Sequence, residues 1–191
     1  MTSKVEIINK ALQKIGEQFI TSVLDDSEQA RAANRIYDGV LREVLRVHPW
    51  NFAMARAALA ADVETPVWEF ENQFTFPIDL VRLIGIENLT HTTRESAYKV
   101  EGRRIATNFD APLNIKYIKL EENPNEYDPL FVDAFATKLA IEMTETLTQS
   151  NTKKAALLAE FNEIFVRAKR VDGQEDPAER FEEDDWILTR F

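Results

Sequence analysis

Carboxylates set among aromatic residues are the part of this sequence that comes nearest to enzyme chemistry. Two acids of this kind can cleave a glycosidic bond, one as general acid and the other as base or nucleophile, and aromatic rings can stack on sugars. The aromatic residues fall on alternate positions: Trp68, Phe70, Phe74 and Phe76. The acids in or near this stretch are Glu69, Glu71, Asp79 and Glu87.

The same residues also fit a purely structural role. The chain has 33 Asp and Glu residues, so two acids come close together by chance, and alternating aromatics are typical of the buried face of a strand. We therefore predict no catalytic residue and a protein that is not an enzyme. A glycan hydrolase or sugar-binding module is the alternative hypothesis.

Metal, cofactor and nucleophile chemistry have little support in the composition. His48 and His91 are the only histidines, and the chain has no cysteine, which excludes disulfides, thiol catalysis and cysteine-ligated zinc. The five glycines include no phosphate-binding loop. His48 comes at the end of a predicted helix, where a cation is favoured, so we expect it to cap that helix or to lie on the surface. We predict no metal and no cofactor.

Negative charge is concentrated near the C-terminus. The net charge is −10, and the stretch from Asp172 to Asp185 holds eight acids and one arginine, or −7, which leaves −3 for the rest. Such an acidic protein is not attracted in general to nucleic acid or to anionic membranes. No apolar run has the length of a membrane span. We expect a soluble protein made in a cytoplasm, with no membrane partner.

An apolar cluster ends this acidic stretch. Charged residues keep a segment extended in water, whereas large apolar side chains favour burial. We interpret residues 172–191 as an acidic C-terminal arm that docks on its own body or on another chain. The partner-binding residues that we predict are Trp186, Ile187, Leu188 and Phe191.

A row of arginines lies on one face of the second predicted helix, opposite its apolar stripe. Glu28 and Asp38 share this face, so we interpret it as a solvated or subunit-contacting surface rather than a phosphate site. The candidates for subunit contact are Arg31, Arg35, Arg42 and Arg46.

Four helices are predicted from capping residues and helical spacing. Ser3 and Glu6 have the spacing of a capping box, and Gly16 ends the first helix. The second runs from the caps Asp25–Ser27 to about Val47. Asp128 caps a third, apolar nearly all round and hence central, and Asn151–Thr152 cap a fourth that ends near residue 171.

The region between the second and third helices is predicted to be β-rich. Leu113, Ile115 and Tyr117 alternate, and a hairpin turn is expected at residues 99–103 around Gly102. The alanine-rich run 53–61 favours helix by composition, but its surroundings lead us to interpret it as a strand. We predict an α+β fold: an antiparallel bundle of about four helices (1–48 and 128–171), an inserted small antiparallel β-sheet subdomain (49–127) and the arm (172–191).

Several segments, taken in order, resemble tail tubular protein A, the head-to-tail adaptor of short-tailed bacteriophages. The resemblance extends from about residue 8 to residue 171. It rests on the ordered set of segments, because each one is mostly patterned hydrophobic residues. They are NKALQKIGE (9–17), ANRIYDGVLREVLRVHPWNFA (33–53), FTFPIDLVRLIGIEN (74–88), DPLFVDAFATKLAIEMTETLT (128–148) and FNEIFVRAKRVDGQED (161–176).

The resemblance implies a structural role in the virion. Members of that family form a dodecameric ring between the portal protein and the tail nozzle protein, and the genome passes through the ring during ejection. It implies assembly in the host bacterial cytoplasm and DNA that passes without specific binding. We expect the arm to pin this ring to the portal or to a neighbouring subunit.

Overall fold

Residues 2–87 and 97–175, which a computed structural model describes, form four α-helices and six β-strands. The helices are α1 (Lys4–Ile15), α2 (Glu28–Val47), α3 (Pro129–Leu147) and α4 (Asn151–Glu175). The strands are β1 (Met54–Leu59), β2 (Asn72–Thr75), β3 (Leu80–Ile86), β4 (Tyr98–Glu101), β5 (Arg104–Thr107) and β6 (Leu113–Lys119). The predicted α+β fold is confirmed.

The first three helices begin at the capping residues that the sequence indicates, and α1 also ends at its predicted glycine. Ser3 accepts a hydrogen bond from the Glu6 amide at 3.1 Å, and the Glu6 carboxylate accepts one from the Ser3 amide at 2.8 Å. Gly16 ends α1 with a φ of +76°, a conformation that glycine adopts without steric cost. Ser27 caps α2, and Asp128 accepts hydrogen bonds from two amides at the start of α3.

The bounds of α4 differ from the prediction at both ends. The side chain of Ser150, not of Asn151 or Thr152, accepts a hydrogen bond from the Lys153 amide, at 3.3 Å. The helix does not stop near residue 171 but continues to Glu175. Asp172 is buried within it, so the first part of the predicted acidic arm belongs to the folded body.

Helix α3 is the centre of the bundle, as its apolar sequence predicts, and it contacts α1, α2 and α4. Phe131, Phe135 and Leu139 are fully buried in it. Two buried threonines need hydrogen-bond partners, and each hydroxyl donates to the carbonyl four residues earlier in the same helix. The distances are 2.7 Å for Thr137 and 2.6 Å for Thr144.

An aromatic cluster joins the bundle to the β-rich insertion. Trp50 and Phe52 come just before β1, and their rings lie 5.0 and 4.8 Å from that of Phe131 on α3. The Trp50 indole N–H donates to the Val44 carbonyl on α2 at 2.9 Å. The aromatic residues that follow α2 therefore fix where the insertion leaves the bundle.

The six strands form two antiparallel sheets, in the orders β1-β6-β3 and β2-β5-β4. The alanine-rich run 53–61 does supply a strand, because β1 pairs with β6 along its whole length, from Met54 opposite Ile118 to Leu59 opposite Leu113. This pairing outweighs the helix preference of alanine. The predicted hairpin is present between β4 and β5, where Gly102 has a φ of +61°.

The two sheets pack face to face around a second core. Their inner faces bury Phe74, Ile105, Ile115 and Tyr117, among others. The outer face of β1-β6-β3 packs on the bundle at one end, through residues such as Ile118. This sheet is thus covered on one side by its partner sheet and on the other, in part, by the helices.

The predicted aromatic ladder is only half correct. Phe74 and Phe76 lie in the core, but Trp68 and Phe70 precede β2 and belong to no strand. Pro66 lacks an amide hydrogen for pairing, and Glu69 has a φ of +73°, which breaks an extended chain. The Trp68 side chain is 76% exposed.

Candidate functional site

The carboxylates considered for catalysis are dispersed. Glu69 forms an ion pair with Lys99 at 2.6 Å, and Glu87 accepts a hydrogen bond from Asn114 at 2.6 Å. Asp79 and Glu87 flank opposite ends of β3, which places them about 25 Å apart at the usual rise of a strand. Paired acids of glycosidases lie about 5–10 Å apart.

Asp79 has a local structural partner instead. Its carboxylate accepts a hydrogen bond from the Tyr117 hydroxyl at 3.3 Å. Burial raises the pKa of that phenol, and the neighbouring Asp79 charge raises it further. Glu71 is exposed. The four candidate acids therefore lie at three separate places: Glu69 and Glu71 two residues apart in the loop before β2, and Asp79 and Glu87 at opposite ends of β3.

His48 has a partner that the sequence did not indicate. It is the C-cap residue of α2, in agreement with the capping prediction. Its side chain is mostly buried, however, and its Nε2 lies 2.9 Å from the Asp172 carboxylate of α4. Asp172 also accepts a hydrogen bond from the Asn51 amide at 3.1 Å, and its backbone carbonyl accepts one from the Asn51 side chain at 2.7 Å.

These contacts make the His48–Asp172 pair a clamp between three segments: the end of α2, the turn before β1 and the end of α4. One feature of the sequence could have indicated that Asp172 is buried. It lies four residues after the buried Ala168 and so continues the apolar face of α4. Within residues 2–87 and 97–175, His, Asp and Glu form no group of three that can hold a metal. His91 lies outside these ranges.

Two of the four arginines on this face of α2 bind groups of the same chain, and two do not. All four arginines are exposed. Arg31 forms an ion pair with Asp26, and Arg46 donates to the Val81 carbonyl of β3 at 2.6 Å. Arg35 and Arg42 form no ion pair with any residue that the structure describes, so they are the two that are available to another chain.

A second exposed surface is the loop between β1 and β2. Val63, Val67 and Trp68 are 103%, 98% and 76% exposed. The Lys99 ammonium lies 5.8 Å from the centre of the Trp68 ring. Three large apolar side chains within six positions form an apolar patch of the kind found at interaction sites. The sequence indicated Trp68 as a core residue and so missed this surface.

The predicted partner-binding residues of the arm, Trp186, Ile187, Leu188 and Phe191, lie outside the described residues. No helix in the described part of the chain is long and apolar enough to cross a membrane.

Comparison of the chain with models of known protein families gives no match, and comparison with curated proteins gives none either.

Proposed function

We propose that this chain is a structural head-to-tail adaptor of a short-tailed phage virion. It forms a ring that joins the portal to the tail nozzle and lets the genome pass during ejection. The observation that carries the proposal is the ordered set of family-like segments. These overlap α1, α2 and the Trp50–Phe52 junction, the end of β2 and the whole of β3, α3, and the second half of α4.

The distribution of polar groups supports a role without catalysis. Asp79 and Glu87 lie at opposite ends of β3 with partners of their own, Glu69 is paired with Lys99, and His48 is bound to Asp172 at the junction of three segments. A channel wall that lets DNA slide must not hold it, and a negative protein suits that requirement because it repels phosphates; the chain outside residues 172–185 still carries −3 of the net −10. The proposed adaptor is therefore a passive conduit.

Two unlike surfaces are available for contacts within a ring. Arg35 and Arg42 lie on α2 in the bundle, and the loop of Val63, Val67 and Trp68 belongs to the insertion. A ring needs heterologous contacts, in which one face of a subunit meets a different face of its neighbour. The proposal assigns these surfaces to subunit contact and the arm residues Trp186, Ile187, Leu188 and Phe191 to the portal or a neighbouring subunit.

Native mass spectrometry of the chain alone and with the portal protein of the same phage tests the proposal. We expect a dodecameric ring on the portal, whether or not the free chain is monomeric. Arg35→Glu with Arg42→Glu should reduce ring formation, whereas Arg31→Glu, which breaks only an exposed pair with Asp26, should not. Deletion of residues 184–191 should weaken portal binding. A chain that stays monomeric with the portal contradicts the adaptor proposal.

The alternative hypothesis has two forms, a sugar-binding module and a glycan hydrolase. The exposure of Trp68 favours the sugar-binding module. A largely exposed indole ring with a carboxylate next to it in the chain, here that of Glu69, can stack on and hydrogen-bond a sugar. Glycan binding by the wild type that is lost in Trp68→Ala supports this alternative. Glycan cleavage that is lost in Glu69→Gln and Glu71→Gln supports an enzyme. We expect neither activity if the chain is an adaptor.

A further inference from the structure

A groove of about 490 Å³ lies on the outer face of sheet β1-β6-β3, beyond the part that the bundle covers. The apolar part of its lining, here called its floor, includes Ala58, Ile84 and Gly85. Arg56 and Lys116 stand at its rim. We call it the basic groove. Its size and floor suit a large apolar side chain.

The rim of the basic groove concentrates positive charge. Arg56 and Lys116 are direct neighbours across β1 and β6, an arrangement in which like charges repel each other. Neither forms an ion pair within the described part of the chain. Glu87 is the acid that lines the groove, and it accepts a hydrogen bond from Asn114. An acidic ligand at this rim relieves the repulsion between the two cations.

The chain leaves α4 close to this groove. The Asp172 contacts hold the last turns of α4 against Asn51, and Arg56 is five residues farther along the chain, or at most about 18 Å away when extended. Residues 176–185 span up to about 33 Å when extended. The segment that follows Glu175 is therefore long enough to reach the groove of its own chain.

That segment has the chemistry that the groove lacks. Residues 176–191 contain six acids and two arginines, and they end in the apolar cluster of Trp186, Ile187, Leu188 and Phe191. Acids followed by a large apolar group match two cations above an apolar floor. We propose that residues 176–191 bind in the basic groove of the same chain, with the acids at Arg56 and Lys116 and the apolar cluster on the floor.

This inference goes beyond the proposed adaptor function and does not depend on it. In an adaptor, the groove keeps the apolar end of the arm out of water until a partner competes for it. Partner binding then has to displace an internal contact, which makes free chains less prone to associate through their arms.

Paramagnetic NMR on the full-length chain tests the proposal without any portal. The chain has no cysteine, so Thr189→Cys places a single nitroxide label within the arm. We expect the label to abolish the amide signals of Arg56, Ala58, Gly85 and Lys116, and reduction of the nitroxide to restore them. Spectra of the reduced protein show whether each variant is folded.

A charge-matched pair of variants makes the result specific. Arg56→Glu with Lys116→Glu should restore the groove signals in the labelled chain. Arg31→Glu with Lys154→Glu makes the same change in charge at two residues that form only surface ion pairs, and it should leave the groove signals abolished. The proposal is overturned if the groove signals persist in the labelled wild type, or if the label acts on another surface. A mixture of nitroxide-labelled chains and separate isotope-labelled chains tests for contact between two copies. The proposal is also overturned if the nitroxide abolishes the groove signals only in such a mixture and not within its own chain.

Discussion

Two buried tyrosines differ in whether the hydroxyl has a hydrogen-bond partner, and this difference should determine how much each hydroxyl contributes to stability. The hydroxyl of Tyr127 donates to the Glu121 carbonyl at 2.9 Å, whereas that of Tyr37 has no partner among the described residues. Burial raises the pKa of both phenols, with the Asp38 charge adding to the rise at Tyr37. Both are therefore neutral at neutral pH and differ only in whether the hydroxyl is satisfied.

Removing these two hydroxyls should have opposite effects on the free energy of unfolding. Tyr127→Phe loses a hydrogen bond and should cost about 0.5–1.5 kcal/mol, whereas Tyr37→Phe removes an unsatisfied group and should be neutral or stabilising by up to about 1 kcal/mol. Urea denaturation at neutral pH measures both values. Equal losses in the two variants contradict the distinction.

At the end of α4, the Asp172 carboxylate is the hydrogen-bond partner of both the His48 ring and the Asn51 amide. Asp172→Ala leaves both His48 and the Asn51 amide without this partner and should cost about 1–3 kcal/mol. Amide exchange in the last turns of α4 should also become faster. Glu163→Ala, on the exposed side of the same helix, serves as the control and should change neither. Unchanged exchange in Asp172→Ala rules out the clamp.

At the scale of elements, backbone conformation separates a hairpin glycine from a helix glycine. Gly102 turns the chain between β4 and β5 with a φ of +61°, and Gly39 lies within α2. A Cβ atom added at either position meets no atom within 4 Å. Steric clash is therefore absent at both, and only the conformational preference remains.

We expect Gly102→Ala to destabilise the protein by about 1 kcal/mol, because alanine disfavours positive φ. Gly39→Ala should stabilise it by about 0.5–1 kcal/mol, because alanine favours helix. Thermal and urea denaturation of the two variants, measured beside the wild type, give both signs. Destabilisation by both substitutions indicates that contacts, not backbone conformation, control these sites.

At the scale of the whole molecule, the bundle and the insertion are held together by the aromatic cluster around Phe131. Tyr127, Phe135, Trp50 and Phe52 all place rings within 6 Å of it. Arg46 of α2 and Arg82 of β3 add a polar link, since each donates to a backbone carbonyl of the other's segment. The two cores are therefore coupled and should unfold together.

Phe131→Ala tests this coupling. It should lower the free energy of unfolding by about 3–5 kcal/mol, the usual cost of emptying an aromatic core position. The helical circular dichroism signal and the NMR signals of β5 should be lost at the same urea concentration. Phe19→Ala, at a side chain that is 62% exposed, should change stability by less than about 0.5 kcal/mol. Separate transitions for helix and sheet contradict the coupling.

Sequence alone determined those features that arise within a few residues of each other. The caps at Ser3, Ser27 and Asp128, the turn at Gly102 and the alternation along β6 each depend on local spacing, and the α+β fold follows from them. Local hydrogen bonding and side-chain periodicity act at the same range as the pattern that reveals them.

Tertiary structure decided what depends on distant partners. The Asp172 carboxylate lies 124 positions from His48, and no local pattern pairs the two or shows that α4 continues to hold that contact. Trp68 belongs to an alternating pattern that is typical of a strand, yet the positive φ of Glu69 breaks the extended chain there and the Trp68 side chain is exposed to solvent. The basic groove likewise exists only because β1 pairs with β6 and so brings Arg56 beside Lys116, 60 positions later. Long-range pairing selects among arrangements that local patterns permit equally.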